Sequence, residues 1–183
     1  MDMFRYYMPT EVFYGKGIVK EKKELFRQMG SRAYIITYTI PGRHYALEDV
    51  KEVLEEYQIP YVVETGVEEN PSTETVERAA AAVRDFAPDF IIGIGGGSPV
   101  DAAKAIGVLL ANPQAKGKDL FEDSSLTSLP IIGIPTTAGT GQRSPTSPCS
   151  PATTRTPSRP SPPGSSHATP CWTPPISWRC PCA

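Results

Sequence analysis

At 183 residues the chain is long enough for one domain with a sizeable core, or for one domain and a tail. A formal net charge of −2, with basic and acidic residues interspersed, argues against a nucleic-acid partner. The N-terminus MDMFRYYMPT has neither a basic n-region nor an apolar h-region, and no run approaches the ~18 apolar residues of a membrane span; a cytoplasmic protein without a membrane partner is expected.

The first predicted element is a short strand, EVFYG (Glu11 to Gly15), followed by a helix over IVKEKKELFRQMG with Gly30 as its C-cap. AYIITY (Ala33 to Tyr38) reads as a buried strand, and a helix from about Tyr45 to Tyr57 carries Leu47, Val50, Val53 and Leu54 on one face. IPYVVET is the third strand. Asn70-Pro71 makes a turn, and Ser72 caps the helix STETVERAAAAVRDF; the third helical position holds Thr75 rather than Glu, so the capping box is incomplete. DFIIGIG is the fourth strand, PVDAAKAIGVLLAN the fourth helix and LPIIGIP the fifth strand. Strands that are apolar throughout and alternate with amphipathic helices predict an α/β fold, a doubly wound Rossmann-like parallel sheet covered on both faces. Ligands of such sheets bind at the carboxyl ends of the strands, where Gly95–Ser98 and Thr136–Gly141 fall.

Gly95, Gly96 and Gly97 leave a strand-to-helix turn without Cβ atoms, so backbone N–H groups can approach an anion. Ser98 as N-cap and Pro99 in the first turn add the orphan donors and positive dipole of a helix start, a site suited to phosphate or pyrophosphate. The glycines also admit a plainer reading, close packing of helix on strand. GIGGGSPVD is neither GxGxxG nor a Walker sequence. Asp101 suits a ribose or amide of a ligand, or equally a surface carboxylate compensating the dipole. Lys104 reads as an exposed helix lysine. IPTTAGTG offers Thr136, Thr137 and Thr140 as hydrogen-bonding groups beside glycines, a pattern common in loops.

Taken together, YGKG (Tyr14 to Gly17), ENPSTETV (Glu69 to Val76), GIGGGSPVDAAKAI (Gly93 to Ile106) and IPTTAGTG (Ile134 to Gly141) resemble the N-terminal half of the iron-containing, group III alcohol dehydrogenases. Glycerol dehydrogenases typically place lysine after the third glycine, and dehydroquinate synthases lack the SPxDAAK continuation. The resemblance covers Met1 to Gly141. It implies a dinucleotide domain followed by an all-helical domain whose aspartate and three histidines hold Fe2+, which polarises the alcohol oxygen while hydride passes to the nicotinamide of NAD or NADP. The resemblance places Gly96, Gly97 and Ser98 on the pyrophosphate, with Gly95 in the same loop. Asp101 falls on the nicotinamide-side ribose or amide, Asn70 on the nicotinamide half, and Thr136, Thr137 and Thr140 on the adenosine side. Many NAD-preferring members carry aspartate at the end of the second strand for the ribose 2′-hydroxyl; this chain has Tyr38, which does not repel a 2′-phosphate, with Arg43 nearby as a partner. The implied partners are a dinucleotide and a small alcohol or aldehyde, and Tyr6–Val12 suits an edge strand of a homodimer.

Residues 142–183 differ in kind. They lack Asp, Glu, Lys, Leu, Val, Phe and Tyr, and hold 11 of the 20 prolines, all 4 cysteines and both tryptophans. Too little apolar area is available to offset chain entropy, so disorder is expected, with 1–141 as the domain. Where the family continues Ser-Glu-Val-Thr after GTG, this chain has Gln142-Arg143-Ser144-Pro145. With Gly-Gln-Arg-Ser-Pro encoded GGT CAG AGG TCA CCN, the frame beginning at the last base of the glycine codon reads TCA GAG GTC ACC, which is Ser-Glu-Val-Thr. In that frame Cys171-Trp172-Thr173 forces Leu-Asp, because TGG is the sole tryptophan codon. A nucleotide lost near the Gly141 codon is therefore expected, leaving the metal domain absent and the metal ligands missing from this chain. His167, Cys171, Cys180 and Cys182 show no recognised zinc spacing. A catalytically silent nucleotide-binding fragment is the alternative to an alcohol dehydrogenase.

Overall fold

In the computed structural model, which describes residues 10–39 and 44–137, apolar runs build one parallel sheet. β1 (Ala33–Ile36), β2 (Tyr61–Glu64), β3 (Phe90–Gly95) and β4 (Ile131–Pro135) are ordered β2-β1-β3-β4. Ala33 pairs with both Tyr61 and Phe90, and Ile91 pairs with Ile131. The central strands β1 and β3 are buried at every residue, as unbroken apolar runs require, while the edge strands are partly covered.

Among the described residues six helices connect and cover these strands: α1 (Ile18–Glu21), α2 (Glu24–Met29), α3 (Tyr45–Glu56), α4 (Thr73–Ala82), α5 (Gly97–Ala111) and α6 (Asp119–Glu122). Successive strand residues point to opposite faces. Ala33, Ile35, Phe90, Ile92 and Ile94 therefore join a core with Phe26, Val50, Val53 and Leu54, and Tyr34, Ile36 and Ile91 join another with α4 and α5. The doubly wound α/β expectation holds.

Two local expectations need correction. Glu11 to Gly15 is not a strand: Val12, Phe13 and Tyr14 are exposed, no described strand pairs with them, and Phe13 lies under Lys22 Nζ, 5.1 Å from its ring centre. Of the proposed edge strand Tyr6–Val12, residues 6–9 lie outside the described residues. The single helix from Ile18 is two, because the tight turns Leu25 N to Lys22 O and Phe26 N to Lys23 O interrupt it. That break turns Phe26 into the core while Lys20 reaches Asp49 and Glu52, and Lys23 reaches Glu56, all on α3. Gly30 is the C-cap of α2, as expected, with an extended backbone at φ 167; it is small because a Cβ there would lie 2.7 Å from Asp89 Cγ.

Asp89 ties the start of β3 to the start of β1. Its carboxylate accepts from Ser31 N at 2.9 Å, Arg32 N at 2.8 Å and Ser31 Oγ at 2.8 Å. Burial pushes the carboxyl up, but the donors of Arg32 and Ser31 outweigh it and hold the group below its ordinary value of 3.8. The linked stability is present above the unfolded-state pKa and is lost as pH falls through the lowered folded value. Asp89→Ala is expected to lower stability by about 1–3 kcal/mol at neutral pH, with a smaller difference in acid, by urea denaturation across that range.

Candidate functional site

The chain leaves β1 toward β2 on one side and builds β3 and β4 on the other, which makes the carboxyl ends of β1 and β3 the switch point of the sheet. Tyr38 follows β1, Gly95 ends β3 and Gly96–Ser98 follow it, and Thr136 and Thr137 follow β4, so these candidates share one edge. The Asn70 turn joins them from the N-terminal end of α4.

Gly95 has φ +142, a backbone region that L side chains rarely adopt. A Cβ there would fall into the edge of the Tyr38 ring and 2.9 Å from Pro99 Cγ. Tyr38 is placed by an antiparallel bridge to Gly66 and by the His44 ring, 6.2 Å away between centres. His44 Nδ1 accepts from Leu47 N at 3.3 Å and so caps α3, while Nε2 lies 3.0 Å from the buried Thr37 hydroxyl. With Nδ1 accepting, the neutral ring carries its proton on Nε2 and donates it to Thr37 Oγ1.

The N-cap of α5 is Gly96, not Ser98, and no side chain caps this helix. Ser98 is otherwise engaged: its Oγ accepts from Asn70 N at 3.1 Å. The first N–H groups of α5 are thereby left without a side-chain acceptor, and Pro99, at a position whose N–H would have no intrahelical partner, costs no bond. The plainer reading of the glycines, close packing of helix on strand, holds for Gly95 against Pro99 and extends to Gly93. A Cβ on Gly93 would lie 3.0 Å from Ala103 Cβ and 3.1 Å from Val100 Cα, so Gly93 is what lets α5 close on β3.

Asn70 has φ 53, a left-handed conformation that asparagine tolerates better than most residues. Its turn is closed by Glu68, which composition and spacing did not single out. Glu68 Oε1 accepts from Ser72 N at 3.1 Å and Thr75 Oγ1 at 2.9 Å, while Ser72 Oγ accepts from Thr75 N at 3.2 Å. A carboxylate four residues upstream thus replaces the missing Glu of the capping box, and the Ser72 and Thr75 donors hold it below its ordinary value. A glutamate at that spacing before the cap was the only available signal.

Asp101 is buried and Lys104 nearly so: their side chains are 7% and 13% exposed, with Nζ 3.1 Å from Oδ1. Neither the surface aspartate nor the exposed lysine read from helix position survives. Thr136 N donates to Gly95 O at 2.7 Å, and Thr137 Oγ1 would lie 3.5 Å from a Cβ on Gly96; both threonines are exposed. Thr140 and Arg43 lie outside the described residues. Among the described residues no three His, Cys, Asp or Glu side chains group to hold a metal, and no helix is long and apolar enough to cross a membrane.

Residues 9–160 match the family model for iron-containing alcohol dehydrogenase. An NADPH-dependent butanol dehydrogenase of Clostridium saccharobutylicum is 34% identical over 143 residues, 75% of this chain and 36% of that protein. Lactaldehyde reductase of Escherichia coli (strain K12) is 31% identical over 132 residues, 70% of this chain and 35% of that one. The crystal structure of an iron-containing alcohol dehydrogenase from Thermotoga maritima superposes with a TM-score of 0.73 at 39% identity, over 76% of this chain and 40% of that one. The chain spans about a third of the length of the curated relatives it matches. With more than half of its residues matching the family model and its fold shared with a solved member, the chain belongs to the iron-containing alcohol dehydrogenase family.

Proposed function

We propose that residues 1–141 are the dinucleotide-binding domain of an NAD(P)-dependent oxidoreductase that interconverts an alcohol and an aldehyde or ketone. The observation that carries this reading is the meeting of Tyr38, the Asn70 turn, Gly95–Ser98 and Thr136–Thr137 at one switch point, around the uncapped N-terminus of α5. Gly96, Gly97 and Ser98 receive the pyrophosphate through backbone N–H groups, aided by the helix dipole. Asp101 and Asn70 orient the nicotinamide half, and Thr136, Thr137 and Thr140 take the adenosine side. Tyr38, with no carboxylate, leaves a 2′-phosphate unrepelled, and one relative is named as NADPH-dependent; NADP joins NAD as a cofactor of this chain. The nicotinamide, when bound, accepts or returns the hydride, and the chain's own residues bind and orient it. The described residues do not supply a donor set for Fe2+.

The composition break and the codon reading support a second part of the proposal: residues 142–183 are translated out of frame, and the chain as it stands binds cofactor without turnover. The family match runs past Gly141 to residue 160, so the boundary rests on the codon argument. The test is to sequence the source DNA across the Gly141 codon and to assay both forms with iron and short alcohols. The expected result is a recovered base, Ser-Glu-Val-Thr after GTG, and dehydrogenase activity in the repaired protein alone. An unchanged DNA sequence, together with turnover by the chain as it stands, would sink this part.

A further inference from the structure

Asp101 and Lys104 form an ion pair with both side chains largely withdrawn from water. Exposed pairs of this kind contribute about 0–1 kcal/mol, and a buried pair must offset the desolvation of two charges, so helix stability alone is a weak reason for one here. Position supplies a stronger one. Ser98, Asp101 and Lys104 are spaced by three and lie along one side of α5. At the top of that row Ser98 Oγ accepts from Asn70 N, and one turn below it Lys104 Nζ meets Asp101 Oδ1. The row thus runs from the uncapped helix start, where an anion is received, into the protein.

We propose that Lys104 is a positioning residue for dinucleotide binding: it fixes the Asp101 carboxylate through Oδ1, so that Oδ2 is presented to a hydroxyl or amide donor of the cofactor. A bare aspartate at this depth would have rotamer freedom and an unpaired buried charge; the ammonium removes both. The inference rests on the dinucleotide reading above. Lys104 acts here without touching the cofactor, so the share of its loss that reaches dinucleotide binding passes through Asp101.

The test uses the full chain, titrated with NADH and with NADPH by fluorescence, as wild type, Asp101→Asn, Lys104→Met, Lys104→Arg and the Asp101→Asn/Lys104→Met double variant. Lys104→Met is expected to weaken binding about tenfold or more, with Lys104→Arg within about threefold of wild type. The double variant should bind no more weakly than Asp101→Asn alone, because the two residues act as one unit. Losses that add, or a folded Lys104→Met within about twofold of wild type, would overturn the proposal. Thermal unfolding by circular dichroism accompanies each titration. Should Lys104→Met fail to fold, the arginine variant and the charge-neutral double variant still decide the matter. If the wild-type chain binds neither dinucleotide, the cofactor reading itself falls, and this inference falls with it.

Discussion

Gly95→Ala is expected to abolish measurable dinucleotide binding while leaving a weakened but folded chain. Two costs arise together. An L residue at φ +142 carries about 1–3 kcal/mol of backbone strain. Its methyl would also enter the Tyr38 ring and press on Pro99 Cγ at 2.9 Å, an overpacking cost of about 1–3 kcal/mol. Relief of either requires the turn between β3 and α5 to move, and that turn carries the N–H groups proposed to receive the pyrophosphate. Shifts of this kind are expected to weaken affinity by at least about tenfold for each 1.4 kcal/mol of lost interaction. The two costs separate in a double variant: Gly95→Ala/Tyr38→Ala should recover the steric part of stability in urea titration and not the strain. Equal stability of the single and double variants would mean that Tyr38 is not the obstruction.

Gly93→Val is the counterpart, and its damage falls on the fold. Its Cβ would meet Ala103 Cβ at 3.0 Å, Val100 Cα at 3.1 Å and Pro99 O at 3.3 Å. Two of these are backbone atoms of α5, which no rotamer change can move. The helix must lift from β3, opening the core that α5 shares with Tyr34, Ile36 and Ile91. A loss of about 3 kcal/mol is expected, at the upper end of overpacking because the branched side chain adds to an already crowded Cβ. Urea denaturation followed by circular dichroism checks it; a variant within about 0.5 kcal/mol of wild type, the scatter of ordinary surface changes, would refute the packing role.

These glycines mark what was legible in the chain and what was not. The run GIGGG announced a strand-to-helix turn at the carboxyl edge of the sheet, and unbroken apolar runs alternating with helical patterns identified the parallel sheet. That Gly93 as well as Gly95 is held against α5 depended on how the helix lies on β3, a tertiary relation invisible in spacing. Ser98 looked like a cap because serine usually is one; its hydroxyl instead answers Asn70 N from a loop 28 residues earlier. Lys104 looked exposed because lysines usually are, and only the packed helix shows it withdrawn against Asp101. EVFYG has strand-forming residues but no described partner strand, and pairing, not propensity, makes a strand.

The most direct test of the central claim is amide chemical-shift mapping of the isotopically labelled chain as NADPH and NADH are added. Shifts concentrated at Gly95–Ser98, Asn70 and Tyr38, saturating with either dinucleotide, are the predicted result. Saturable shifts confined to another face, or none at millimolar dinucleotide, would contradict it.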